Sequence, residues 1–306
     1  MSMQELFAPR GVVVAGSASE GKLGNILIKR LVENGYNNIY AVNPKAVGVG
    51  SVAGYASAQQ INRPLDLAVI AAPAATVCSV LEDCGKAGIK AAIIITSGFA
   101  ETGRLEDELA IKKTASRYGI RYCGPNCAGM VNTHQKLFPT LEAAPPQGSV
   151  ALVSQSGSVG GMLMTMAAEG NLGISKFISY GNGYDLNELE LLRYLKDDPQ
   201  TSVIAMYLEN IRDGRAFMRE LKEATKQKPV VIVKSGRTGT GQRATLSHTG
   251  ALAGSDAVYN AAFRECGALR VKNIEEMFYL CKAFAWLKPV LGKTLSIITN
   301  SGGPAV

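Results

Sequence analysis

Histidine is nearly absent, with two in 306 residues, and the six cysteines form no Cys-x-x-Cys pair. The tightest spacing, Cys123-Gly-Pro-Asn-Cys127, does not fit a structural zinc framework, so no metal site is expected. A chain of this length needs no disulfide framework, and reduced thiols in the cytoplasm are the expectation. No uninterrupted apolar run reaches the ~18 residues of a membrane span. The segment Met1–Arg10 carries an acid and no apolar centre, so it does not read as a signal peptide. The net charge is +7, yet no run of five basic residues occurs. Scattered basic charge fits a phosphate-rich small ligand better than nucleic acid. Aromatics are scarce at 7%, whereas glycine is abundant at 33 residues. That balance suits an α/β protein with many tight strand-to-helix turns, and the length allows about two domains.

In the first half, short apolar runs alternate with helical patterns. Strands are expected at 11–15, 38–42, 65–72, 91–96 and 120–123, with helices at 23–34, 76–87 and 104–118. Continuous β-rich runs between helices predict a parallel sheet covered on both faces. The first strand enters Gly16-Ser-Ala-Ser-Glu-Gly-Lys22-Leu-Gly24, where glycines allow close backbone approach and the next helix offers free N–H groups to phosphate. The spacing is neither G-x-G-x-x-G nor a Walker loop. The second strand ends in Val42-Asn-Pro-Lys45, with no acid to hold a ribose diol. This argues against NAD and fits a ligand with an extra ribose phosphate that Lys45 could meet.

A Pro/Ala-rich stretch at 139–148 predicts a hinge. Strands then recur at 149–153, 175–179, 203–208 and 230–234, with helices from about 160–169, 187–196 and 214–225 and further ones from about 255 and 274. Ser154-Gln-Ser-Gly-Ser158 is a strand-to-helix turn of small residues, suited either to cradling an anion or simply to capping a helix. The stretch 292–306 repeats the strand-and-glycine-turn pattern, which predicts the start of a further unit. His134 reads as a loop residue. His248 lies in a long Gly/Ser/Thr-rich loop after a buried strand, where function concentrates in open α/β sheets. A loop histidine can accept a phosphoryl group if a carboxylate orients its second ring nitrogen. Glu209, just after the strand at 203–208, is placed for that.

Ser247-His-Thr-Gly-Ala-Leu-Ala-Gly-Ser-Asp256 resembles the phosphohistidine segment of the NDP-forming acyl-CoA synthetases, relatives of the succinyl-CoA synthetase α subunit. Gly21–Gly24, Val42–Ala46, Asp66–Ile70, Gly98–Glu101, Gly124–Cys127, Ser154–Gly157, Tyr207–Gly214 and Lys234–Arg237 match in order over essentially the whole chain.

The resemblance implies a Rossmann-like CoA-binding domain over 1–127, a linker over 128–148 and a flavodoxin-like parallel α/β ligase domain over 149–288. A third, truncated ligase domain would start at 289–306. It implies CoA contacts from Gly16, Ser17, Ser19, Lys22, Gly24, Pro44, Lys45, Pro73, Ser97 and Gly98, with Asn126 near the thiol. It implies a phosphate site at Ser154, Gln155, Ser156, Gly157 and Ser158, and His248 as phosphoryl carrier with Glu209 holding its ring. Acyl-CoA, CoA and phosphate would be the small-molecule partners. ADP or ATP with Mg would bind an ATP-grasp β subunit or C-terminal half, and the assembly would be an oligomer without nucleic acid or membrane contacts. Gly161 replaces a bulkier residue that lies near the succinate carboxylate in relatives, which counts against a dicarboxylic substrate. The implied activity is ADP-forming acyl-CoA synthesis of the acetyl-CoA synthetase type; the alternative is a CoA-binding regulatory module without ligase activity. Gly181-Asn-Gly-Tyr-Asp185 differs in its middle from the charged versions of the family and carries no assigned role.

Overall fold

Apolar runs without polar alternation belong to strands covered on both faces, and here they assemble into two sheets. The computed structural model describes residues 3–238, 241, 255–288, 292–294 and 296–303. After a short helix α1 (Gln4–Phe7), the first sheet comprises β1 (Val12–Gly16), β2 (Ile39–Val42), β3 (Gly54–Tyr55), β4 (Leu67–Ala71), β5 (Ala91–Ile94) and β6 (Arg121–Cys123). Their spatial order is β3-β2-β1-β4-β5-β6, all parallel. Helices α2 (Leu23–Glu33), α3 (Val77–Lys86) and α4 (Leu105–Tyr118) cover it. Alternate strand residues serve opposite faces: Val12 and Val14 pack with Leu27 and Leu31, whereas Val13 and Ala15 pack with Val77 and Leu81.

The second sheet has β7 (Met130–Asn132), β8 (Gln147–Ser154), β9 (Ile174–Ser179), β10 (Val203–Leu208), β11 (Val230–Lys234) and β12 (Leu269–Arg270), in the order β12-β11-β10-β8-β9-β7. All pairs are parallel except β7 with β9. Its helices are α5 (Gly157–Glu169), α6 (Glu188–Asp197), α7 (Gly214–Thr225), α8 (Asp256–Glu265) and α9 (Ile274–Trp286). Leaving out β7, the order is the flavodoxin-like 2-1-3-4-5. No helix among the described residues is long and apolar enough to cross a membrane.

Several expectations shift. The stretch 128–148 is not a bare linker, because β7 extends the second sheet and Met130, Val131, Leu137 and Phe138 are buried. Three residues are too few to show a period against the Pro/Ala background. Helix α5 begins at Gly157, since the Ser156 side chain caps it by accepting from the Val159 N–H. His134 lies in a single 3₁₀ turn, its ring against the Gly148 carbonyl (2.9 Å) and the Gln147 amide (3.0 Å). Among the described residues of 292–303 no strand forms; Ile297 and Ile298 are exposed.

The two sheets share one apolar core. Leu6, Phe7, Val12 and Leu27 belong to the same cluster as Met130, Ile178, Leu192, Met206 and Phe217. Polar contacts cross the seam as well. Asp185 accepts from Arg121 Nε (2.8 Å) and from the Tyr122 N–H (2.7 Å), and Asn132 Nδ2 donates to the Phe7 carbonyl (2.8 Å). Helix α1 is held by Phe7 stacking on Tyr194, with ring centroids 4.4 Å apart. Both rings flank the buried ammonium of Lys176, at 6.0 and 5.8 Å.

Lys176 donates to Asp198 (2.7 Å) and Gln200 (2.9 Å), and Thr201 donates to the same Asp198 oxygen (2.5 Å). Burial alone would raise the Asp198 carboxyl, but the hydrogen bonds from Lys176 and Thr201 outweigh it and hold the group below its usual value. Removing one partner of a buried pair strands the other charge, so Asp198→Ala should cost about 3–5 kcal/mol in urea unfolding. The lowered carboxyl stabilises the fold fully above the unfolded pKa of roughly 3.9, and that gain disappears as pH falls through the lower folded value. The deficit should therefore be level between pH 6 and 8 and shrink in acid.

Candidate functional site

Open parallel sheets form a crevice where neighbouring connections leave in opposite directions. In the first sheet that point lies between β1 and β4. A cavity of about 670 Å³ opens there at the carboxyl ends of the strands. Gly16 ends β1 on its wall and Ser17 and Ser19 follow, Pro44 and Lys45 come from the turn after β2, and Pro73 comes from the loop after β4. The Asn43 side chain shapes the second of these turns, donating to the Val47 carbonyl (2.8 Å) and accepting from its N–H (3.1 Å). Asn43, Ser57, Thr76, Ser79 and Asp83 also line the cavity and were not foreseen; position after a strand or at a helix start could have pointed to the first three, whereas Ser79 and Asp83 lie within α3.

Lys22 and Gly24 do not line it. Gly24 acts from behind: a Cβ there would sit 2.7 Å from the Ser17 carbonyl oxygen and 2.9 Å from the Gly16 carbonyl carbon. Helix α2 can thus press directly on the loop. Ser97 is exposed and lines neither this cavity nor the cleft described next.

The second sheet has its own reversal between β8 and β10. Beside it, between the two domains, lies a smaller cleft of about 100 Å³. Its lining brings Ala100, Glu101 and Asn126 of the first domain against Gln155, Asn182, Glu209 and Arg212 of the second. Asn126, Gln155 and Glu209, far apart in sequence, therefore meet. Gln155 does so as a tie. Its Oε1 accepts from the Glu209 N–H (2.9 Å), the Asn210 N–H (3.0 Å) and Tyr180 Oη (3.1 Å), while Nε2 donates to Asn210 (2.8 Å). Its oxygen and one of its two amide protons are thus spent on the loops after β9 and β10. Ser154 is likewise spent: it is buried and donates to the Ser156 carbonyl (2.6 Å). What remains at the N-terminus of α5 is the pair of hydroxyls of Ser156 and Ser158, 3.1 Å apart, and the first-turn N–H groups of Gly157 and Ser158. These suit an anion.

Glu209 is buried at the end of β10, and its carbonyl accepts from the buried Lys234 ammonium (2.7 Å). Lys234 also donates to the Ser235 carbonyl (2.8 Å) and lies 4.6 Å from the Tyr259 ring centroid. Burial, aided by nearby Arg270, pushes its pKa down to about 8. His248 lies outside the described residues. Gly98 (φ +100°) sits in the loop after β5 and donates its N–H to Glu101 (2.5 Å). Burial raises the Glu108 carboxyl beside that loop, whereas hydrogen bonds from Asn182, Gly98 and Phe99 outweigh burial at Glu101 and lower it. A side chain at Gly161 would run into the Glu142 carboxylate, with the Cβ 2.2 Å from Oε2. Among the described residues no three His, Cys, Asp or Glu cluster as a metal site would require.

Residues 10–133 match the family described as a CoA binding domain, and residues 147–284 match the succinyl-CoA ligase like flavodoxin domain. The alpha subunit of acetate–CoA ligase (ADP-forming) I from Pyrococcus furiosus is 42% identical over 320 residues, covering 100% of this chain and 68% of that protein. The chain belongs to the ADP-forming acetate–CoA ligase family. An acetate–CoA ligase (ADP-forming) from Methanocaldococcus jannaschii is 43% identical over 298 residues, which are 96% of this chain but 42% of that protein. Among solved structures, the Ca. Korarchaeum cryptofilum dinucleotide forming acetyl-coenzyme A synthetase 1, in complex with phosphate and ADP, superposes with a TM-score of 0.95 at 37% identity. It covers 99% of this chain and 66% of that one. The chain thus spans less than half of one curated relative and about two thirds of the other. Within it, the first sheet is the Rossmann-like CoA-binding domain and the second is flavodoxin-like.

The close backbone approach at Gly24 and the cation at the cavity mouth fit a polyphosphate ligand such as CoA. Gly24→Ala must displace the Gly16–Ser17 backbone, and Lys45→Glu places an acid beside phosphate. Each should weaken CoA binding on the order of tenfold or more in calorimetric titration, with the far-ultraviolet spectrum unchanged.

Proposed function

We propose that this chain is the acyl-transferring part of an ADP-forming acyl-CoA ligase, with acetate or a similarly small monocarboxylic acid as substrate. The observation that carries the reading is the cleft where Ala100, Glu101 and Asn126 of the CoA-binding domain face Gln155 and Glu209, with the capped start of α5 following Gln155 directly in the chain. A thioester reaching across from the large cavity and an anion on α5 would meet there.

In the forward sense a phosphate oxygen attacks the thioester carbonyl. The C–S bond breaks, the CoA thiolate leaves and takes up a proton, and an acyl phosphate forms. An imidazole nitrogen of His248 then attacks phosphorus, the P–O bond to the acyl group breaks, and the carboxylate departs. The phosphoryl group passes to ADP on an ATP-grasp partner, with Mg, outside this sequence. Ser156, Ser158 and the N–H groups of Gly157 and Ser158 hold the phosphate; Glu209 accepts the proton on the second ring nitrogen and stabilises the imidazolium character that develops. The Glu209 side is kept in register by Gln155 and Lys234. Lys45, Ser17 and Ser19 would hold the CoA phosphates.

With the ATP-grasp partner present, acetyl-CoA and radioactive phosphate should give an acid-labile, alkali-stable label on the chain. It should vanish in His248→Ala and fall on the order of tenfold or more in Glu209→Gln, the loss of one charge-assisted hydrogen bond. Full labelling of His248→Ala would exclude this histidine as the carrier. The 306-residue chain by itself should not couple acetate and CoA to ATP.

A further inference from the structure

The segment Gly181-Asn182-Gly183 follows β9 and has no part in the chemistry above, yet it makes a close backbone contact at the cleft. Gly181 (φ +56°) and Gly183 (φ +62°) are both left-handed. A Cβ on Gly181 would sit 2.3 Å from the carbonyl oxygens of both Pro125 and Asn126. The second domain is thus pressed, backbone on backbone, onto the turn of the first domain that carries Asn126.

Asn182, between the two glycines, commits every polar group it has. Its N–H donates to the Pro125 carbonyl (3.1 Å), and Oδ1 accepts from Asn126 Nδ2 (3.3 Å). Its own carbonyl accepts from Arg212 (2.7 Å), whose guanidinium lies 4.2 Å from the Tyr184 ring centroid. The two protons of Nδ2 go to two different carboxylates of the first domain, Glu101 Oε2 (2.7 Å) and Glu108 Oε2 (2.8 Å). Those carboxylates orient the loop after β5. Glu101 Oε1 accepts from the N–H groups of Gly98 (2.5 Å) and Phe99 (3.2 Å), and Glu108 Oε2 accepts from that of Ala100 (3.0 Å).

One amide of the phosphate-binding domain therefore fixes two carboxylates, and through them three consecutive N–H groups of the CoA-binding domain. Only a neutral double donor suits the place. Aspartate has the same shape but donates nothing and would add a third carboxylate to the pair.

We propose that Asn182 is a positioning residue that registers the thioester end of the CoA domain against the phosphate site, so that the acyl carbon and the attacking phosphate oxygen are held in line. This rests on the ligase reading above. The residue touches no reacting atom; its effect runs through the Gly98–Ala100 loop and Asn126.

The test uses the complete enzyme, this chain with its ATP-grasp partner. Asn182→Asp should lower kcat on the order of 10²-fold, the scale of an ångström-sized misplacement of reacting groups. CoA affinity, read by titration, should stay within about threefold, since the phosphate and adenosine contacts in the large cavity are untouched. Adding Glu101→Gln should restore at least roughly tenfold of kcat, because the new amide nitrogen replaces Oε2 and can donate to the aspartate while the carbonyl at Oε1 still accepts from Gly98 and Phe99. Hydrogen exchange over residues 96–101 should quicken in Asn182→Asp and Asn182→Ser, with β1 and β4 unchanged. Wild-type turnover in Asn182→Asp, no recovery in the double variant, or unaltered exchange at 96–101 would each overturn the proposal. If the unmodified enzyme bound CoA but made no acyl-CoA, the ligase reading would fall instead, and the exchange measurement would still decide whether Asn182 clamps the loop.

Discussion

The arrangement of the cleft depends on the two sheets being packed as one body. A single apolar cluster runs from Val12 and Leu27 through Met130 and Ile178 to Leu192 and Phe217, so the faces of both sheets that meet at the seam are buried against each other. Parallel strands carry their loops of interest at their carboxyl ends, and each sheet has one point where the chain order reverses. Because the shared core fixes the relation of the sheets, the loops after β5 and β6 of the first sheet lie against those after β8, β9 and β10 of the second. Had the domains been joined by a free tether, Asn126 and Glu209 would have no fixed relation, and two binding crevices would remain two.

At the cleft, function is divided between donors that are spent and donors that are left. Gln155 accepts with one oxygen from two N–H groups of the Glu209 loop and from Tyr180, and the Ser154 hydroxyl is consumed by the Ser156 carbonyl. These bonds make the loops rigid, which leaves the first turn of α5 as the place where an anion finds open N–H groups. The first domain follows the same logic. Glu101 and Glu108 are acids beside the cleft proposed for anionic substrates, an unfavourable choice on charge alone. Their oxygens are occupied by backbone N–H groups and by Asn182, so their role is to hold a loop.

Much of the fold was legible in the sequence because buried parallel strands write themselves as continuous apolar runs. The bounds expected for 203–208 and 230–234 coincide with β10 and β11. The two-residue β3 and β12 and the three-residue β7 were not, since periodicity needs more residues than they possess. The cavity loops at Gly16–Ser19 and Pro44–Lys45 were legible from strand ends and the glycine-rich turn, and Pro73 only through the family resemblance. The partners of Gln155 were not, because Glu209 and Asn210 lie more than fifty positions away and meet it only once β8 and β10 are neighbours. Asn182 was visible only as a polar residue between two glycines at a strand end, a pattern that marks a turn and gives no hint of the two carboxylates it would meet.

The central claim is that CoA lies along the first crevice with its thiol at the cleft, facing phosphate on α5. A crystal structure with CoA and inorganic phosphate tests it most directly. The account predicts CoA phosphates against Ser17, Ser19 and Lys45, the pantetheine running toward Asn126, and a separate phosphate on Ser156, Gly157 and Ser158 within reach of the thiol. CoA bound elsewhere, or bound in the crevice with its thiol directed away from Asn126, would contradict it.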